Sequence, residues 1–165
     1  MISQTEHVSE VDVASIQVSA NHGDTVHLRC DPPFASGDSV TWVTGDTSPR
    51  VSVRGPMLSV TSAKYSDTQT FTCRNRNTGA SSSVHVFVRD PNNLYVNPLY
   101  QLKSIVHINS DTPTNIGCQP TDDRAVFRLV NGNNVDITLS LEDNQLVWSH
   151  QSGLWVKQGQ VRVGV

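Results

Sequence analysis

Three cysteines and two adjacent pairs of acidic residues are the side chains with the most evident chemistry. Cys30, Cys73 and Cys118 can form one disulfide and leave one thiol over. The acidic pairs are Asp122–Asp123 and Glu142–Asp143, both in loop-like sequence. Catalysis needs a nucleophile with a base and an orienting group, or carboxylates that converge in a pocket, and adjacency in sequence does not supply this. No phosphate-binding glycine motif is present, so we predict that the chain is not an enzyme.

Histidine is the other candidate for metal or proton chemistry. His27 and His85 each alternate with apolar neighbours, which predicts outward-facing positions on β-strands. No cluster of histidines, cysteines and carboxylates has the spacing of metal ligands. We therefore expect neither a metal nor any other cofactor.

Short alternating segments position two of the cysteines. Val26–Cys30 directs every second side chain to one face of a strand, and Trp42 lies in a second strand-like segment. Leu58–Val60 and Phe71–Cys73 continue the pattern. This is the cysteine–tryptophan–cysteine spacing of an immunoglobulin sandwich, with strands B, C, E and F in order. It predicts a disulfide between Cys30 and Cys73 across two sheets about 10 Å apart, with the Trp42 indole in the core beside it.

The corner before the second cysteine departs from the usual pattern. The position two residues before it commonly holds tyrosine, whose hydroxyl bonds the backbone of the corner. Phe71 keeps the ring but lacks that hydrogen bond, which is worth roughly 1 kcal/mol. The sequence thus predicts a looser corner than is typical.

Length and charge fit an all-β chain of two tandem sandwiches. The chain has 165 residues and a net charge of -3, with no basic run to favour nucleic acid or an anionic membrane. No segment is apolar over the roughly 18 residues that cross a bilayer. Residues 1–7 have no apolar signal core, whereas a disulfide implies an oxidising compartment. We therefore expect an excerpt from a longer secreted or membrane protein.

The predicted domains are 8–90 and 91–165, and the second repeats the first pattern. Thr114–Cys118 ends in a cysteine like strand B, and Ala125–Val130 is a predicted strand C without tryptophan. Segments 146–148 and 154–156 supply a further strand pair. By this count, strands F and G of the second domain lie beyond residue 165, so the second sandwich is incomplete at its C-terminus. The disulfide partner of Cys118 would then lie beyond residue 165, although a free functional thiol and an intermolecular bridge remain alternatives.

Three segments carry a resemblance to a known family. Thr70–Cys73 followed by Ser83–Pro91, with its Val-Phe-Val-Arg-Asp-Pro run, resembles the end of the first immunoglobulin domain of class III receptor tyrosine kinases. Cys118–Asp123 and Gln145–Val156 are similar to parts of the second domain in that family. The resemblance covers about residues 10–165. The Arg-Asp-Pro run is moderately specific, whereas many adhesion proteins share the cysteine frame.

The resemblance implies an extracellular fragment of a plasma-membrane receptor kinase that binds a dimeric helical cytokine and dimerises. Ligand contacts would then lie mostly in the second domain. The candidate contact residues are Tyr100, Lys103, Thr121, Asp122, Asp123 and Arg124. The alternative is a cell-adhesion or soluble decoy module of the same fold that binds another protein, because fold alone does not choose between these functions.

Overall fold

The computed structural model describes residues 16–30, 39–44, 48–96, 113–128, 130, 133–136 and 146–156. The chain divides into two compact units. The first runs to Val96 and also contains Thr121–Asp123, and the second holds the other described residues. The predicted domain limits, 8–90 and 91–165, stay predictions.

The first unit is an immunoglobulin-like sandwich of seven described strands. They are β1 (Ile16–Asn21), β2 (Val26–Arg29), β3 (Val40–Val43), β4 (Val51–Arg54), β5 (Met57–Val60), β6 (Gln69–Asn75) and β7 (Ser81–Arg89). One sheet has the order β1-β7-β6-β3 and the other β2-β5-β4. β1 pairs with β7 in parallel, and the other pairs are antiparallel. The predicted all-β immunoglobulin-like fold is thereby confirmed.

The predicted disulfide and the tryptophan beside it lie in the core of this unit. Cys30 and Cys73 form a disulfide with their Cα atoms 6.2 Å apart. Trp42 on β3 stands opposite Cys73 on β6 and is buried. Its indole Nε1 donates a hydrogen bond to the carbonyl oxygen of Pro56 at 3.0 Å, so the polar edge of the ring is satisfied inside the core. The inward side chains of both sheets pack around this group.

The prediction for His85 needs a correction. Its neighbours Val86 and Val88 join the core between the sheets, so His85 does point to the opposite face of β7, as its alternation indicates. That face is not open to solvent, because His85 and Phe87 are both fully buried. Alternation decides which side of a sheet a residue occupies, but it cannot tell whether something covers that side.

Asp67 closes the corner that lacks the usual tyrosine. Phe71 is buried among apolar side chains, and the corner is instead tied through the buried carboxylate of Asp67 in a short 3₁₀ turn, Tyr65–Asp67. Asp67 Oδ2 accepts a hydrogen bond from the Lys64 backbone N–H at 2.8 Å. Arg50 donates to both carboxylate oxygens, from Nε at 3.0 Å and from Nη2 at 2.9 Å. This forked pairing is the strong arrangement of an arginine with a carboxylate.

We expect Asp67→Ala to lower the free energy of unfolding of the first unit by about 2 kcal/mol, because charged hydrogen bonds are lost and a backbone N–H is left without its acceptor. Urea unfolding followed by Trp42 fluorescence measures this. The background variant carries Trp148→Phe and Trp155→Phe, so that Trp42 is the one tryptophan left in the chain. Asp67→Asn keeps an acceptor for Lys64 and should lose less. Equal stability of Asp67→Ala and the parent chain would contradict the assignment.

The second unit contains one described sheet with the order β8-β10-β9. Its strands are β8 (Thr114–Gly117), β9 (Leu146–Ser149) and β10 (Gly153–Val156). The predicted strand before Cys118 and the predicted pair at 146–148 and 154–156 are therefore confirmed. A Cβ atom on Gly153 would lie 2.2 Å from the Gly117 carbonyl oxygen, so only glycine permits this approach of β10 to β8. Ile116, Leu154 and Val156 form the small core.

The predicted strand at Ala125–Val130 is wrong over its described part. Residues 125–128 have no strand conformation, and Val130 forms only an isolated bridge to Asp136. Val126 is 90% exposed, whereas the Phe127 ring stacks on the Trp148 indole with ring centres 5.1 Å apart. A sequence with strand propensity forms a strand only where neighbouring strands accept it.

Candidate functional site

Four of the six predicted ligand-contact residues lie in the described loop after β8. They are Thr121, Asp122, Asp123 and Arg124; Tyr100 and Lys103 lie outside the described residues. The structure groups Thr121–Asp123 with the end of β7, within the first unit. Arg124 is exposed and belongs to the second unit. Whether any of the six touches a ligand stays a prediction.

Thr121 anchors the loop to the segment that follows β7. Its backbone N–H donates to the Leu94 carbonyl oxygen at 3.0 Å, and its hydroxyl donates to the Asn93 carbonyl oxygen at 2.9 Å. The side chain is buried. Thr121 therefore holds the loop in place, and the exposed parts of the site come from its neighbours.

Arg89 positions the two carboxylates beside Thr121. Its Nη2 donates to Asp123 Oδ1 at 2.7 Å. Its Nε lies 3.3 Å from Asp122 Oδ1, an ion pair without hydrogen-bond geometry. The three side chains are 28–31% exposed, so they are neither buried nor free in solvent. One guanidinium thus orients two adjacent carboxylates and leaves part of each accessible to a partner.

A tight turn at Asp90–Asn93 positions the carbonyl oxygens of Asn93 and Leu94, to which Thr121 donates its hydrogen bonds. Asp90 Oδ1 accepts from the Asn92 backbone N–H at 2.9 Å, and Oδ2 accepts from Asn93 Nδ2 at 2.8 Å. His22 Nδ1 lies 3.5 Å from the same carboxylate. The hydrogen bonds from the Asn93 side chain and from the Asn92 backbone N–H hold the pKa of Asp90 below its ordinary value. The Arg-Asp-Pro run therefore supplies both the Arg89 guanidinium that holds the two carboxylates and the turn that begins at Asp90.

Oriented and partly exposed carboxylates such as these are suited to the recognition of a protein. In the part of the chain that the structure describes, no three histidine, cysteine or acidic side chains could hold a metal ion. Within the same residues, no helix is long and apolar enough to span a bilayer.

Sequence reasoning missed Arg89 as a partner of the predicted loop. Arg89 and Asp123 are 34 positions apart, and no local pattern links them. The one available signal was the Arg-Asp-Pro run, in which Pro91 predicts the end of the last strand of the first domain but nothing predicts a partner for Arg89. Charged residues at a strand end beside a domain boundary are natural partners for an acidic loop.

We expect Arg89→Ala to loosen the loop without unfolding the unit. Partly exposed ion pairs contribute little, so the unfolding free energy should fall by less than about 1 kcal/mol. Hydrogen exchange at the Thr121 amide, which is bonded to Leu94, should accelerate by up to about fivefold. Arg74→Ala removes an exposed arginine of β6 and serves as the control. Unchanged exchange at Thr121 would show that Arg89 does not hold the loop.

Comparison with known proteins finds immunoglobulin domains among solved structures. No protein-family model matches the chain, and no curated protein matches it. Two crystal structures of the titin M10–obscurin-like 1 immunoglobulin complex, one of them of a point mutant, are 28% identical over 46% of this chain, covering 87% and 85% of theirs, with TM-scores of 0.34 and 0.32. The N-terminal Ig1-2 module of the Drosophila receptor protein tyrosine phosphatase DLAR is 17% identical, over 45% of this chain and 42% of its own, with a TM-score of 0.34.

Similarities of this size carry no argument about function. The assignment of the fold comes from the pairing of the chain's own strands and from the disulfide between its sheets. A disulfide-braced immunoglobulin-like domain fits an extracellular protein, because such bridges persist in oxidising compartments.

Proposed function

We propose that the chain is an extracellular immunoglobulin-like module that binds another protein, as the ligand-binding fragment of a growth-factor receptor of the class III receptor tyrosine kinase type. Its ligand would be a dimeric helical cytokine, and the parent receptor would dimerise on binding it. No catalytic step is assigned to this chain. The observation that carries the proposal is the pair of carboxylates, Asp122 and Asp123, held by Arg89 at the end of a disulfide-braced sandwich.

Two features support this proposal. A contact loop that is already ordered loses less conformational entropy on binding, and Thr121 and Arg89 order this loop. The residues that order it, Arg89 and Asp90, belong to the same Val86–Pro91 run that resembles the receptor family. Oriented carboxylates favour a ligand surface with lysine or arginine at the contact, which affects association rate and specificity most strongly.

Surface plasmon resonance with purified dimeric helical cytokines tests the proposal. The chain is immobilised, and each cytokine is passed over it at several salt concentrations. We expect binding by one of them, and a drop in affinity of about tenfold when Asp122 and Asp123 are both changed to asparagine. Arg74→Ala, on β6 of the first unit, should leave affinity unchanged.

The adhesion or decoy alternative is an outcome of the same experiment. Absence of binding to every cytokine would contradict the receptor proposal. Binding that is indifferent to Asp122 and Asp123 would keep a protein partner but move the contact elsewhere.

A further inference from the structure

The outer face of the sheet β2-β5-β4 brings together two arginines that are distant in sequence. Arg29 on β2 and Arg54 on β4 both stand directly opposite Met57 on the central strand β5. Directly opposed residues share a face, so the three side chains form one row across the sheet. Neighbouring strands are about 4.8 Å apart, which places the two arginine backbones roughly 10 Å from each other. Guanidinium groups on side chains of this length can converge on one anion above Met57.

The next row on the same face is also rich in hydrogen-bond donors. His27, Ser59 and Ser52 stand opposite one another, and His27 Nδ1 lies 2.9 Å from Ser59 Oγ. Of the alternate residues, Val26, Leu28, Leu58 and Val60 lie in the core and Val51 packs against it. None of the twelve residues of the three strands is acidic. This face is therefore locally positive in a chain whose net charge is -3.

We propose that this face binds a linear sulfated glycan, with Arg29 and Arg54 clamping one sulfate group over Met57. The forked N–H donors of arginine match the oxygens of an oxyanion, and the serine hydroxyls of the next row can donate to the following group. Arg29 already has an interaction within the chain, so the sulfate would share its five donors with that partner. Arg54 is exposed and carries the larger part of the contact.

A glycan fits this face better than an acidic protein segment does. Protein contacts depend on buried aromatic or aliphatic anchors that fill pockets. The six side chains of the two rows include one large apolar residue, Met57, which is half-buried. A polar, cationic strip suits a polyanion that binds by charge along its length. The inference rests on the extracellular location proposed above, and it is independent of any cytokine.

Isothermal titration calorimetry with a heparin-derived hexasaccharide tests the inference on the whole chain. We expect Arg54→Ser to weaken binding by about fivefold and the double variant with Arg29→Ser by about tenfold or more. Removal of each arginine should also lower the slope of log affinity against log salt by about one. Arg74→Ser makes the same change of charge on the other sheet and should keep the affinity. Arg54→Lys keeps the charge and should recover part of the loss.

The other outcomes overturn the proposal. Equal losses in Arg54→Ser and Arg74→Ser would mean general attraction of charge, with no site on this face. Binding of the desulfated hexasaccharide with the same affinity would exclude the sulfate clamp. A polyglutamate peptide of equal charge that binds as tightly would assign the face to an acidic protein. If the double variant fails to fold, Arg54→Ser, which lies beside an exposed hairpin turn, decides alone. Cytokine binding is not measured, so failure here leaves the proposed receptor function unaffected.

Discussion

Removal of the disulfide should destabilise the first unit by about 4 kcal/mol, the chain entropy of a closed loop of this length. Cys30 and Cys73 are separated by 43 positions, and this loop includes strands β3, β4 and β5. A double variant, Cys30→Ala with Cys73→Ala, opens it without adding a polar group to the core. The bridge also packs against Trp42, so the loss of the two sulfur atoms adds a small void to the entropic effect.

Hydrogen exchange measures this effect in the right unit. Amides of β6 and β7 lie at the centre of the four-stranded sheet and should open only on global unfolding. We expect their protection to fall by roughly three orders of magnitude in the double variant, in line with about 1.4 kcal/mol per factor of ten. Cys118→Ala is the matched control, because Cys118 takes no part in the disulfide and belongs to the second unit. Unchanged protection in the double variant would show that the bridge does not brace this sandwich.

The sequence could predict features that depend on local patterns of residues, and it could not predict contacts between distant segments. Cys30, Trp42 and Cys73 were identified because alternation fixes which residues face inward, and the fold fixes their order along the chain. The hairpin of Leu146–Ser149 and Gly153–Val156 is local in sequence and was predicted for the same reason. The incompleteness of the second sandwich at its C-terminus stays a prediction.

Interactions between distant segments could not be predicted from spacing. Arg50 and Asp67 meet because the residue before β4 and the 3₁₀ turn approach one another in the folded unit. Arg29 and Arg54 share a face only because of the register of two strand pairs. A single sequence without its register does not contain this information. Interactions of this kind decide both the proposed ligand contact and the proposed glycan face.

Acid should destabilise the first unit through His85. Its ring is fully buried, with Nδ1 2.8 Å from Thr70 Oγ1 and its edge against Phe87. Nε2 is buried and has no hydrogen-bond partner among the described residues. Burial favours the neutral ring and lowers the pKa of His85 from 6.5 to about 4. Strand β1 has no titratable side chain, and Asp67 in the 3₁₀ turn is already bound to Arg50.

The direction of the pH effect follows from linkage. Above pH 6.5 His85 is neutral in both states and contributes no pH dependence. Below that pH the His85 ring is protonated in the unfolded chain but stays neutral in the folded unit. The free energy of unfolding therefore falls until the pH reaches the folded pKa near 4. The expected loss relative to pH 7 is about 2 kcal/mol at pH 5 and about 3 kcal/mol at pH 4. Other groups also titrate in this range, so the measurement must be a difference between variants.

Urea unfolding at several pH values isolates the contribution of His85. It is followed by Trp42 fluorescence in the background that carries Trp148→Phe and Trp155→Phe. We expect His85→Gln to be less stable than the parent chain at pH 7, because glutamine fills the buried site poorly. Its stability should nevertheless decline less on acidification, so that the two curves converge by about 2 kcal/mol between pH 7 and pH 5. His27→Gln changes an exposed histidine on the other sheet and should retain the full decline. Parallel curves for His85→Gln and the parent chain would show that the ring accepts its proton inside the fold, against the burial seen here.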